Sequence, residues 1–404
     1  MDFRRYLLVA AVICSFAAYG SELEKDLSLH QSIRAELQQV SQESDIPGFS
    51  VAVVNQRGEI YSEGFGKTNL DGKARYTANT PQKVASISKA LLGIALLKAQ
   101  ELGMLSLEDP IDKYFPFEIR NPKHPGQEIH LKHLTLHTSS LRDTRDIFEH
   151  SYILQQKEIA ANKKVLPFFK KSDETISLSK FFTNSLSTNG EWYGEESYFD
   201  FAAGEERRYS NLGAAICEYI IEKVSKQDYA SFTNKHIFEP LNIKNAVWDS
   251  NEVGTESSLF FDNSTSLAKY KGFNKADGGL IISASELSLF LVELINGYMG
   301  TGTLLKAESY NEYFDLQSFP DQDRRYGIFI ESRPKTFGFD DSVIGLMGAD
   351  PGLLTAMFFN PETGMGKIML LNIEPRQKST RDGINKIWKA ILDFEAKAAK
   401  IYIN

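Results

Sequence analysis

Cysteine is almost missing from this chain: Cys14 and Cys217 are the two in 404 residues. Cys14 lies in an N-terminal stretch expected to be removed, which leaves Cys217 alone and rules out an internal disulfide. Set in the apolar run "LGAAICEYII", Cys217 reads as a small buried hydrophobe rather than a nucleophile. Metal-ligand spacing is missing too. Four of the seven histidines fall between His124 and His137, but no H-E-x-x-H or Cys/His set accompanies them, so surface and packing roles are expected and no metal or organic cofactor is implied. With a formal net charge of −8 and no basic cluster beyond the first residues, nucleic acid and anionic membrane are excluded as expected partners. Apolar runs of membrane-spanning length are also absent. The run from Tyr6 to Ala18 follows Arg4 and Arg5 and precedes the small-residue pattern Ala18-Tyr19-Gly20. That is the layout of a secretory signal peptide over residues 1–20, too short to span a bilayer with margin. Cleavage near Gly20 would leave a periplasmic or secreted protein without an integral span. An uncleaved anchor is the alternative, and a lipidated Cys14 is disfavoured because Ala11-Val12-Ile13 is a poor lipobox. Nothing in the sequence speaks to oligomeric state.

What is present is the composition of a well-cored globular protein, 42% hydrophobic and 12% aromatic. Ile33, Leu37 and Val40 recur at helical spacing and predict an opening helix. "PGFSVAVVNQRGEIYSEGFG" alternates Phe49, Val51 and Val53, turns at Arg57-Gly58 and resumes, which predicts a β-hairpin. From Ser86 to about residue 300 the periodicity is largely helical. Strand signals return in "YGIFIES", "DSVIGLMG", "GLLTAMFF" and "GKIMLLN", with "NPETG" as a hairpin turn, and a last helix puts Ile384, Ile387, Trp388 and Ile391 on one face. Two strands before the middle and three or so after it can close one antiparallel β-sheet, flanked by the N- and C-terminal helices, with a mostly helical lobe inserted: an α/β fold. The expected division is 21–82 with 320–404 for the α/β lobe and 83–319 for the helical lobe. Residues 143–199, rich in Lys, Glu and Ser, read as a surface excursion or lid. A cleft between lobes is the natural ligand site.

At the crossing between the two lobes lies "KVASISKALLGIALLKAQELG", with Ser86 and Lys89 three apart at the head of an apolar helix. A serine hydroxyl needs a base within hydrogen-bond reach to act as a nucleophile. Residues three apart share a helix face, so the Lys89 amine can fold back over Ser86, and the apolar surroundings favour a neutral amine. The free N–H groups of a helix start would help hold negative charge. The same S-x-x-K spacing recurs at Ser177, Ser266 and Ser332, in poorer settings: Pro334 breaks the last, and no apolar helix follows Ser266. The plain alternative leaves Ser86 as a helix cap and Lys89 as a solvated side chain. A second motif, Tyr209-Ser210-Asn211, opens another apolar helix, and a tyrosine can shuttle a proton between a serine and a leaving group. It also matches the chain end Tyr402-Ile403-Asn404.

Together these motifs make the chain resemble the serine β-lactamase and penicillin-binding protein superfamily, in its class C β-lactamase, D-aminopeptidase and esterase branch. "IPGFSVAVV", "SISKALLGIALLKAQELGMLSLEDPIDKYFP", "HLTLHTSSL", "AAGEERRYSN", "IFEPLNI", "ADGGLIISASEL" and "GADPGLLTAMFFNPETG" resemble that family's segments in the family's order. The resemblance implies a β-lactamase/transpeptidase-like fold and no cofactor. It implies Ser86 as the acylated nucleophile, Lys89 and Tyr209 as proton-transfer partners, and Asn211 as the group orienting substrate and Lys89.

The family's third motif is Lys or His, then a small or hydroxyl residue, then Gly; here it reads Leu346-Met347-Gly348, followed by Ala349. Leucine carries no charge, and Met347 lacks the hydroxyl that would help hold a substrate carboxylate. Backbone N–H groups of Ser86 and Ala349 are still expected to form the oxyanion hole. The expectation is therefore a serine hydrolase acting on neutral esters or amides, with a small-molecule or peptide substrate. The alternatives are a cell-wall D-Ala peptidase or β-lactamase that meets its carboxylate with another residue such as an arginine, and a non-catalytic binding protein on the same fold. Ser140 in "HTSSL" stands where the family usually has glycine.

Overall fold

Strict alternation of side chains builds one eight-stranded antiparallel sheet. The computed structural model describes residues 25–248 and 256–402, so the expected leader lies outside the described residues. In chain order the strands are β1 (Gly48–Asn55), β2 (Gly58–Gly66), β3 (Gln317–Ser318), β4 (Arg325–Gly327), β5 (Ile330–Thr336), β6 (Phe339–Asp350), β7 (Leu353–Phe359) and β8 (Gly366–Leu371). They lie in the order β3-β4-β5-β6-β7-β8-β1-β2. Six strands follow the middle rather than three or so. β3 and β4 are two and three residues long, too short to print an alternating pattern in the sequence.

Five helices position the site: α1 (25–43), α2 (Ser88–Glu101), α3 (Asn211–Ser225), α4 (Ala284–Tyr298) and α5 (Lys378–Tyr402). On one face of the sheet, Val51 and Val53 of β1 pack with Leu37 and Val40 of α1 and with Ile387, Trp388 and Ile391 of α5. On the other, Ala52 and Val54 pack with the cluster that holds α2, α3 and α4. Coverage on both faces explains why β7 and β8 are buried at every position and are mostly apolar, Thr355 and the ion-paired Lys367 being the exceptions. α2 is buried from Ser88 to Leu97, so its "ALLGIALL" run is apolar all round.

The middle of the chain is less helical than its periodicity suggests. Tyr152–Leu154 pairs with Tyr270–Gly272, and Thr265–Leu267 pairs with both Lys163–Lys164 and Phe260–Asp262. The excursion 143–199 is rooted in the core: Phe181, Phe182 and Tyr198 are buried, and Phe181 stacks on Phe273 with ring centroids 3.9 Å apart. Among the described residues no helix is long and apolar enough to cross a membrane. Cys217 is buried, and burial pushes its thiol pKa up.

Candidate active site

The turn that carries Ser86 is tied down on both sides. Gln82–Lys83 pairs with Ile281–Ile282, and Val84 N–H donates to Leu280 O. Ala85 then takes a left-handed backbone, φ 47°, a conformation that costs a residue with a Cβ roughly 1 kcal/mol. Ser88 holds it there: its hydroxyl donates to Ala85 O at 2.7 Å and accepts from Leu280 N–H at 3.2 Å. A single 3-10 turn, Ala85–Ile87, leads into α2 and places Ser86 on the wall of a cavity of about 420 Å³.

One turn on, Lys89 is only 1% exposed. Its Nζ donates to Ser86 Oγ at 3.2 Å, to Asn211 Oδ1 at 2.8 Å and to the Asp277 carbonyl at 2.5 Å. Tyr209 OH lies 2.8 Å from Ser86 Oγ and 3.1 Å from Asn211 Oδ1. Four residues separated by up to 125 positions in the chain are thus joined in one hydrogen-bonded ring of contacts, Ser86, Lys89, Tyr209 and Asn211.

Several residues outside the recognisable motifs hold this arrangement. Asp143, from the start of the excursion, accepts from Ser210 Oγ at 2.6 Å, Asn211 N–H at 2.7 Å and Leu212 N–H at 3.1 Å, capping α3 where it presents Asn211. His137 lies against the Tyr209 ring, centroids 4.5 Å apart, and its Nδ1 accepts from Ser210 N–H. Burial, reinforced by Arg207 and Lys89, pushes the His137 pKa well below its usual value, which keeps the imidazole neutral and its Nδ1 an acceptor. The Asp277 segment is fixed by Glu218 of α3, whose Oε2 accepts from Lys275 N–H and Ala276 N–H, each at 2.7 Å. Ser140 keeps the left-handed turn, φ 62°, that glycine would adopt more cheaply, and its hydroxyl accepts from Asn121 Nδ2.

On the far wall runs β6. Its pairing with β5 ends at Gly345 opposite Glu331, which leaves Leu346 to Asp350 as an open edge along the cavity. Leu346, Met347, Gly348 and Ala349 all line it, with Ser86, Lys89 and Tyr209. Asn211 lines the adjoining hollow on the other side of Ser86, beside Asp277 and Asp350. Burial raises the Asp350 pKa to about 6, against the pull of Lys83, and Tyr152 OH donates to its Oδ1 at 3.0 Å. Leu346 packs toward the helical cluster and Met347 toward the opposite face. The same cavity also receives Arg207, Arg324 and Arg333, which no motif marked. Arg207 stands two residues before Tyr209, and that spacing was the one available signal. The rival serines do other things. Ser177 caps the helix Leu178–Leu186, while Ser266 and Ser332 sit in strands.

The site thus sets a serine in reach of a buried lysine and a tyrosine, on a sheet with helices on both faces. The chain belongs to the Beta-lactamase family, whose model matches residues 33–390. It is 25% identical to Protein flp of Staphylococcus aureus (strain MW2) over 310 residues, 77% of this chain and 52% of that protein. The chain spans about half the length of the curated relatives it matches. Its fold is similar to that of the octameric penicillin-binding protein homologue from Pyrococcus abyssi, with TM-score 0.69, 21% identity and coverage of 90% of this chain and 77% of that one. It is also similar to that of D-alanine carboxypeptidase AmpC from Burkholderia cenocepacia, with TM-score 0.65, 17% identity and coverage of 90% and 99%.

Proposed function

We propose that this protein hydrolyses ester or amide bonds of small-molecule or peptide substrates through an acyl-enzyme on Ser86. The observation that carries the reading is the placement of Ser86 Oγ between Lys89 Nζ and Tyr209 OH, at 3.2 and 2.8 Å. Lys89 has three acceptors for the three hydrogens of an ammonium, so Ser86 Oγ accepts from it and points its own hydrogen at Tyr209. The Lys89–Tyr209 pair acts once it has lost one proton. Attack then forms the Oγ–C bond while the serine proton passes to the pair. Collapse of the tetrahedral intermediate breaks the bond to the leaving group, which takes that proton, and water repeats the sequence in reverse to free Ser86. The N–H groups of Ser86 and Ala349 are the proposed oxyanion donors, each worth about 10²- to 10³-fold in rate. Action outside the cytoplasm follows from the leader reading and belongs to the same proposal.

The name of the D-alanine carboxypeptidase neighbour supports amide cleavage as the reaction class. A binding protein without catalysis would have no use for a buried amine satisfied by three acceptors beside a serine. Intact-protein mass after exposure to a fluorophosphonate tests the reading, beside Ser86→Ala and a parallel penicillin incubation. An adduct on the wild type and none on Ser86→Ala is expected; no adduct on either sinks the acyl-enzyme. A stable penicillin adduct would move the assignment to the cell-wall peptidase branch.

A further inference from the structure

α3 acts on Lys89 twice. At its start Asn211 Oδ1 accepts from Lys89 Nζ, and two turns further on it presents Glu218, which is fully buried. Glu218 Oε2 accepts from Lys275 N–H and Ala276 N–H, each at 2.7 Å, and the next residue, Asp277, gives its carbonyl to Lys89 Nζ. Within this bend Asp277 N–H donates to Asn274 Oδ1 at 3.0 Å and Gly279 N–H to Lys275 O at 2.7 Å. The bend runs on into Leu280, the residue that ties down the Ser86 turn. No other side chain among the described residues accepts from the Lys275 and Ala276 amides. The second oxygen, Oε1, is buried and makes no hydrogen bond. A proton can therefore settle on Oε1 or leave it without either amide bond being broken. The charges around it come from three directions. Lys275 Nζ stands 3.9 Å from Glu218 Oε1 and 3.9 Å from Glu222 Oε1, and Lys83 and Lys271 line the same hollow of about 160 Å³. Cys217 and Tyr229 also face this carboxyl, and burial pushes the pKa of both up, so both stay uncharged.

We propose that Glu218 is a positioning residue for Lys89 and that its ionisation switches the lysine's anchor: with the proton on, the bend is loose and the enzyme slow, and with the proton off, the bend is firm and the enzyme fast. The proposal rests on acyl-enzyme chemistry at Ser86. A hydrogen bond to an ionised acceptor is roughly twice as strong as one to a neutral acceptor. Loss of the proton from Oε1 turns both amide bonds into the stronger kind and fixes the Asp277 carbonyl, which keeps the Lys89 amine aimed at Ser86 Oγ, 3.2 Å away. Burial raises the Glu218 carboxyl to about 7, against the pull of Lys275 and the two amides, and Glu222 adds to the rise. The switch therefore turns within about one pH unit of neutrality.

The test is the second-order rate of fluorophosphonate labelling of Ser86 across neutral pH, in the wild type and in Glu218→Gln, which keeps an acceptor for the amides and cannot ionise. Dividing one profile by the other cancels the titration of Lys89 and Tyr209, which both proteins share. The ratio of wild type to Glu218→Gln should rise by about threefold to tenfold as pH increases through neutrality, the difference between bonds to a charged and to a neutral acceptor. A role confined to holding the fold together would change the rate by one factor at every pH, so a flat ratio overturns the switch. Hydrogen exchange at the Lys275 and Ala276 amides of the wild type reads the same contact without a variant. Their protection, corrected for the intrinsic rate, should rise through the same window, even though ionising a buried carboxyl costs the fold as a whole. A rising ratio with unchanged protection overturns the proposal, because the charge would then act at a distance and not through the bend. If the wild type takes no label at any pH, the acyl-enzyme reading falls by itself. In that case, or if Glu218→Gln does not fold, amide exchange alone decides: rising protection supports the switch at the Lys89 anchor, and flat protection refutes it.

Discussion

Gly348 carries no side chain where β6 crosses the Ser86 turn, and Gly348→Ala tests what that bareness is for. A Cβ built there would stand 2.3 Å from Val84 O, 2.5 Å from Thr355 Oγ1 and 3.1 Å from Ala85 Cβ, where ordinary contact begins at 3.4 Å. Neither of the two tightest neighbours can step aside freely, because Thr355 Oγ1 itself donates to Val84 O at 2.8 Å. The strand and the turn must therefore part by about 1 Å, the shortfall between that contact and the ordinary one. A displacement of that size at a reacting group can cost about 100-fold in rate, and overpacking costs about 1–3 kcal/mol of stability. The assay is the second-order rate of fluorophosphonate labelling of Ser86, with denaturant unfolding alongside. Labelling should fall roughly 100-fold while the protein stays folded. Gly126→Ala, whose Cβ would meet nothing within 4 Å, should change neither quantity. Labelling of Gly348→Ala within threefold of wild type would refute the idea that contact between strand and turn sets the position of Ser86.

Three further outcomes are expected. Lys89→Met removes the donor to Ser86, Asn211 and the Asp277 carbonyl and should slow labelling by about 10²- to 10⁴-fold, the range of a positioned proton-transfer group; a loss under tenfold would show that Tyr209 suffices. Asp143→Ala takes away an acceptor of three hydrogen bonds at the start of α3 and should lower stability by about 2–3 kcal/mol in urea unfolding; an effect below 0.5 kcal/mol, the low end for losing a cap, would show that the cap is dispensable. Burial raises the Glu218 carboxyl to about 7, so between its unfolded value of 4.5 and 7 the folded state holds the extra proton. Stability should then fall as pH rises through that window, by up to about 3 kcal/mol. Subtracting the Glu218→Gln curve from that of the wild type should leave this slope, and parallel curves would remove Glu218 as its source.

The sequence shows β1 and β2 by the spacing of their large apolar residues and the later hairpin by its dense apolar runs, and it shows Ser86 and Lys89 because a local spacing of three is a contact on a helix. Other features depend on what the rest of the chain places nearby. Ala85 has no local reason to turn left-handed until Ser88 and Leu280 fix it. Asp277 contributes a carbonyl, which any residue could provide. Arg324 reaches the cavity from the segment before β4 and Arg333 from β5, more than a hundred residues from Tyr209, so no window along the chain could connect them. The middle segment misleads for another reason: strands of two or three residues, such as Lys163–Lys164, are too short to repeat an alternating pattern.

The sheet closes late. β1 pairs with β8, Phe49 opposite Leu371, so during synthesis the first hairpin waits with a valine-rich edge uncovered until the chain has emerged past residue 371. Such long-range pairing folds slowly, and an open edge of that kind invites wrong partners in the meantime. Yield in a cell should therefore track the chaperones available to nascent chains more closely than the stability of the finished molecule. The same delay applies to the site: the turn that carries Ser86 is finished only when Leu280 and Gly348 arrive, so an incomplete chain has the serine without the backbone that positions it.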